Sequence, residues 1–107
     1  MAIEFNSKNF NKEVLESKIP VIVDFFATWC GPCKMLGPVI EQLSDEYDGK
    51  IAIGKVDIDE NSDLAQKYEV MSVPTIIFFE NGEIKRRENG FMSKEQLDDI
   101  IKQTFSV

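Results

Sequence analysis

Cys30-Gly31-Pro32-Cys33 holds both cysteines of the chain, with only two residues between them. Two thiols at that spacing can clamp a metal, staple a turn, or form and break a disulfide reversibly. A zinc site takes four protein ligands when structural, or three and a water when catalytic, and this chain has two cysteines and no histidine. Carboxylates or a second subunit would have to complete it. A structural staple across so short a loop contributes only about 2 kcal/mol by chain entropy and restrains nothing distant.

The redox reading accounts for more of the residues. The motif directly follows an apolar run and directly precedes a helical pattern, and proline is favoured in a helix's first turn, where no amide hydrogen is missed. That places Cys30 at a helix N-terminus, where unpaired amides and the positive end of the helix dipole favour a thiolate. Cys33 follows one turn later on the same side, with β-carbons about 5 to 6 Å away, close to what a disulfide requires. Cys30 then attacks a substrate disulfide and Cys33 resolves the mixed disulfide. Gly31 and Pro32, with Lys34 and the dipole, tune the potential.

Composition bounds the setting. The chain has 107 residues, 43% of them hydrophobic, enough for one core, so residues 1–107 are expected to form a single domain. Nineteen acidic against 12 basic residues leave a net charge of -7, which repels phosphate backbones and anionic lipid heads. Nucleic acid and membrane are therefore not expected as partners, and nothing points to an obligate dimer. The opening "MAIEFNSKNF" lacks the basic start and apolar block of a signal peptide, so a cytoplasmic location is expected. In a reducing cytoplasm a disulfide is more often catalytic or redox-sensing than structural.

The elements that must position the cysteines follow from periodicity. Asn6 or Ser7 is placed to cap a first helix through about Ser17, with Phe10, Val14 and Leu15 turned inward. "PVIVDFFA" (Pro20 to Ala27) is apolar on both faces, as a central strand covered on both sides would be. Leu36, Val39, Ile40, Leu43 and Tyr47 recur at helical spacing from about Cys33 to Tyr47, with Pro38 bending the helix and not ending it. A strand over Ile51 to Ile58 and a short helix around Leu64, Ala65 and Tyr68, begun by Asn61 or Ser62, come next. "PTIIFFE" (Pro74 to Glu80) is another strand, and Asn81-Gly82 turns it into a hairpin with Ile84 to Arg87. Ser93 and Gln96 form a capping box for a last helix with Leu97, Ile100, Ile101 and Phe105 inward. The expected architecture is α/β, a three-layer α/β/α sandwich with a central mixed β-sheet.

"WCGPCK", set after "VDFFA" and followed downstream by "SVPT", resembles thioredoxin, and the resemblance runs over essentially the whole chain. It implies the thioredoxin fold, a dithiol protein-disulfide reductase acting as an electron carrier, and no cofactor beyond the Cys30–Cys33 disulfide. The implied partners are a thioredoxin reductase, flavoprotein or ferredoxin-linked, and disulfide-containing client proteins. Asp24 interrupts "VIVDFF" and is either an acid with access to water or a buried carboxyl needing a partner or a proton. The resemblance implies the second, beneath the active site, with Asp24 handling the proton of Cys33. Lys55 is either a snorkelling surface lysine or the counter-charge of Asp24 on the adjacent strand, and the resemblance favours the pair. It also implies a cis bond before Pro74, facing the disulfide, and a shallow apolar platform for an extended substrate made by Trp29, the Val73-Pro74 edge and Gly90. Phe91 is either part of that platform or core.

Two departures stand out. Phe26 takes the place of a tryptophan found in many thioredoxins, and Asn89-Gly90-Phe91 replaces a valine, glycine and small residue. The second alters the rim of the platform and with it partner preference. A disulfide-forming oxidase or isomerase would use the same chemistry but usually works in oxidising compartments. A redox-inactive scaffold is the reading of a different class, because a fold does not fix a function.

Overall fold

The apolar run after Pro20 forms β2 (Val21–Phe26), the middle strand of a five-stranded sheet in a computed structural model that describes residues 1–107. The other strands are β1 (Ile3–Glu4), β3 (Ala52–Asp57), β4 (Thr75–Glu80) and β5 (Glu83–Asn89), in the spatial order β1-β3-β2-β4-β5. β1, β3 and β2 run parallel, and β4 and β5 are each antiparallel to their inner neighbour, so the sheet is mixed as expected. Helices cover both faces. α1 (Gly31–Glu46) and α3 (Lys94–Phe105) pack on one, α2 (Ser62–Lys67) and an N-terminal helical turn on the other.

Alternation along β2 shows why its sequence is apolar throughout. Ile22 joins the core under α1 and α3, with Leu36, Ile40, Phe78 and Ile101. Val21, Val23 and Phe25 point the other way, into the core formed with Phe10, Val14, Val56 and Leu64. Asp24 shares the face of Ile22, which turns a carboxyl into an otherwise hydrocarbon layer.

The N-terminal segment departs from the expected α-helix. It is a π-helical turn over Asn11–Leu15 whose cap position is Phe10 and not Asn6 or Ser7, with no side-chain cap. Asn6 instead closes the preceding turn by accepting from the amides of Lys8 and Asn9, each at 2.9 Å. Phe10 and Val14 are buried and Leu15 is half-buried. β1 was not foreseen. It pairs Ile3 with Gly54 and Glu4 with Lys55, and Gly54 permits the approach: a Cβ there would lie 2.5 Å from both the Ile3 carbonyl oxygen and Cε2 of Phe5. Gly54→Ala is therefore expected to destabilise the fold by about 1 to 3 kcal/mol, read as a lower denaturant midpoint.

α1 starts at Gly31, earlier than its apolar period implies, and runs through Pro38 to Glu46. Pro38 brings no amide hydrogen to the Lys34 carbonyl, so one rung of the helix is missing while the apolar stripe on either side holds it to the sheet. In α2, Asn61 occupies the cap position but its side chain does not cap. Its Oδ1 accepts instead from the amide of Ser7 at 3.0 Å, tying the N-terminal segment down. Arg87 of β5 donates to the carbonyls of Tyr68 and Glu69, at 2.5 and 2.6 Å, where α2 ends. Asn81 and Gly82 both take positive φ, 54° and 78°, at the tight turn between β4 and β5. The Ser93/Gln96 capping box opens α3 as its sequence predicts. No helix is long and apolar enough to cross a membrane.

Candidate active site

β2 ends at Phe26, and the short link from Ala27 delivers the chain to the N-terminus of α1 with Cys30 as its cap. The Cys30 backbone is extended (φ -89°, ψ 116°), which turns its sulfur back over the first turn of the helix. There Sγ accepts from the amide of Cys33 at 3.2 Å, taking the place of the oxygen of a Ser or Asp cap. Gly31 and Pro32 are the first two helical residues, so the proline falls where no amide is needed. Cys30 and Cys33 are joined as a disulfide, their Cα atoms 5.2 Å apart. The motif thus combines a sulfur at a helix tip with a second sulfur one turn on, as its spacing predicts. Nowhere do three or more cysteines, aspartates and glutamates gather in a group that could hold a metal ion.

The segment before β4 faces this pair. The Cys30 sulfur lies 3.7 Å from the Val73 carbonyl oxygen, and the Val73-Pro74 peptide is cis. Gly90, at φ +88°, donates its amide to the Pro74 carbonyl at 2.8 Å, which locks the end of β5 against the start of β4. Asn89, one of the departures from the family pattern, braces the same segment with its side-chain amide. It donates to Thr75 Oγ1 at 2.8 Å and Ser72 Oγ at 3.3 Å, and Thr75 in turn donates to the Ser72 carbonyl at 2.6 Å. Trp29 is 68% exposed, its indole donating to Asp59 at 2.9 Å. With Ile58, Val70, Met71, Ser72 and Val73 it lines a shallow, mostly apolar groove of about 310 Å³ beside the disulfide. Phe91, 43% exposed, is a surface residue and not core.

Asp24 is 1% exposed and its Oδ1 has no hydrogen-bond partner. Burial pushes its carboxyl up to about 7, with the positive charge of Lys55 pulling the other way. Lys55 stands opposite it in the parallel register of β2 and β3. Its ammonium, however, makes its ion pair with Glu41 of α1, at 3.5 Å, and lies 5.6 Å from the centre of the Phe26 ring. Glu41 escaped sequence reasoning because an acid on an amphipathic helix reads as part of the solvated face.

Comparison with known proteins agrees with this arrangement. A sequence model of the thioredoxin family matches residues 1–103. The thioredoxin of Rickettsia felis is 47% identical over 104 residues, covering 97% of this chain and 99% of that protein. The thioredoxin of Staphylococcus saprophyticus is 54% identical over 82 residues, 77% of this chain and 79% of its own length. A chloroplastic thioredoxin M-type of Spinacia oleracea is 46% identical over 103 residues, 96% of this chain and 57% of that one. With the redox-capable cysteine pair held within its own fold, the chain belongs to the thioredoxin family of protein-disulfide oxidoreductases.

Proposed function

We propose that this protein reduces disulfides in client proteins through Cys30 as attacking sulfur and Cys33 as resolving sulfur, with Asp24 moving the proton of Cys33. The observation that carries the proposal is the cap: Cys30 Sγ accepts the Cys33 amide at the tip of α1, an arrangement that stabilises negative sulfur. Family membership brings two kinds of partner in general, a reductase and disulfide-bearing clients. A flavoprotein or ferredoxin-linked reductase returning the dithiol form, a single domain working as a monomer, and a reducing cytoplasm as its place of work complete the reading.

The Cys30 thiolate attacks one sulfur of the client disulfide, forming a Cys30–client bond and releasing a client thiolate, which takes up a proton. Asp24, ionised, accepts the proton of the Cys33 thiol. The Cys33 thiolate then attacks Cys30 Sγ, closes the internal disulfide and releases the second client thiolate, so two electrons pass from the dithiol to the client. A carboxyl near 7 suits the task, since at neutral pH it is populated in both forms. Lys55 supports it by favouring the ionised form. Trp29 and Val73 in the wall of the apolar groove, with Pro74 and Gly90 next to it, hold the client as an extended segment, the Val73 backbone beside the reacting sulfur.

The test is the equilibrium potential of the Cys30/Cys33 couple, measured together with insulin reduction. The expected value is more reducing than the glutathione pool, about -240 mV, with sustained turnover. A strongly oxidising potential would assign the protein to disulfide formation, and binding of clients without any reversible couple would make it a scaffold. The role of Asp24 is lost if Asp24→Asn leaves both the thiol titration and the rate unchanged.

A further inference from the structure

We infer that Glu41 is a positioning residue for the buried Asp24: its carboxylate holds the Lys55 ammonium against α1 and so sets how much positive charge the buried carboxyl feels. Asp24 and Lys55 are direct neighbours across β2 and β3, yet Lys55 turns to Glu41 while Asp24 Oδ1 remains without a partner. Glu41 is itself anchored. Its other oxygen accepts the Ala2 amide at 2.8 Å, so the carboxylate is fixed through both oxygens. Phe26 completes the seat, its ring 5.6 Å from the ammonium.

The seat lies on a cleft of about 730 Å³, the largest on the molecule, walled by Phe26, Glu41 and Lys55 with the further acids Glu4, Asp57 and Glu60. On the elements packed around Asp24 and in this cleft, the charged and titratable groups are Lys55 and Asp57 of β3, Glu4 of β1, Glu41 and Cys33 of α1, Glu60 of the loop after β3 and the N-terminal ammonium of Met1. β4 opposes it with neutral Ile76, and the buried face of α3 is Leu97, Ile101 and Phe105. Lys55 is the cation whose charge reaches Asp24, and Glu41 is the acid that makes an ion pair with it, while the Met1 ammonium in the same cleft is held by Asp45. Removing the negative charge of Glu41 leaves the ammonium free to favour the ionised form of Asp24.

The inference deepens the role proposed for Asp24 and rests on it, and one experiment separates the two. The Asp24 carboxyl is titrated by carbon NMR in the full chain, with Asp24→Asn assigning the resonance, alongside the pH profile of insulin reduction. In Glu41→Gln, which keeps an acceptor for the Ala2 amide, the Asp24 midpoint is expected to fall by about half a pH unit and the rate profile to follow it. Glu41→Asp should restore both. In a Lys55→Met background the Glu41→Gln change should move the midpoint no further. An unchanged midpoint in Glu41→Gln, or the same fall without Lys55, overturns the positioning role of Glu41. A midpoint that falls while the rate profile stays fixed upholds that role and overturns the one proposed for Asp24.

Discussion

A Cys33→Ser variant is expected to stop after its first attack and accumulate as a mixed disulfide with its client, with steady turnover down by about a thousandfold or more. The two cysteines are equally buried as residues, at 5% exposure each, so residue burial does not rank them. Position does. Cys30 caps α1, accepts an amide and lies against the Val73 carbonyl on the groove side, whereas Cys33 is one turn inside the helix. Attack by Cys30 uses the Cys33 amide but not its sulfur, whereas release of the client needs that sulfur. Cys30→Ser should accordingly lose turnover equally and form no adduct. Mass spectrometry of non-reduced protein after exposure to a model disulfide distinguishes the two. A Cys33→Ser protein that turns over normally, or an adduct on Cys33 in Cys30→Ser as abundant as that on Cys30, would reverse the assignment.

The second large effect is on stability. Asp24 binds its proton more tightly when folded, with a carboxyl pushed up to about 7 against an ordinary value of 3.8. Between these values the native chain retains a proton that the unfolded chain has released, so stability falls as pH rises through that window. The stabilisation relative to the ionised state is fully present below about pH 4 and gone above about pH 7, for a total of about 4 kcal/mol. Asp24→Asn stays neutral at every pH. Its stability should therefore exceed that of the native chain at pH 8 and converge toward it near pH 4, as measured by the difference between two denaturant curves. A constant difference across pH would mean that the carboxyl does not change its affinity for the proton on folding. The residue proposed to move the proton is thus also the one that weakens the fold at working pH, an exchange of stability for function.

How far the sequence carries depends on whether a residue's role is local. The cap at Cys30, the proline in the first turn of α1, the Asn81-Gly82 turn and the Ser93/Gln96 box are set by neighbours a few positions away, and each forms as its spacing implies. β1 could not be seen, because a two-residue strand has no period and its partner Gly54 declares nothing by itself. The π-helical turn differs from an α-helix by one residue per hydrogen-bond step, a distinction that the spacing of Phe10 and Val14 does not resolve. In the site, the cysteines were legible from chemistry and Asp24 from its discord with an apolar strand. The neighbourhood of Lys55 was not, since register alone pairs it with Asp24, while the side chain reaches across to α1. Asn89 likewise gains its meaning only once Ser72 and Thr75 are beside it.

The rims of the sheet bear on how such a protein survives its own chemistry. A carrier that lays unfolded or extended client segments along its surface is continually offered strands that could add to any free edge. β1 offers a newcomer only two residues, and β5 sets Lys85, Arg86 and Arg87 among Glu83 and Glu88 along its length. Lys85 with Glu83 and Arg86 with Glu88 already form ion pairs there, which an added strand would have to disrupt and dehydrate. Neither rim thus offers an extended segment a free edge to join, which protects the molecule from being templated into aggregates.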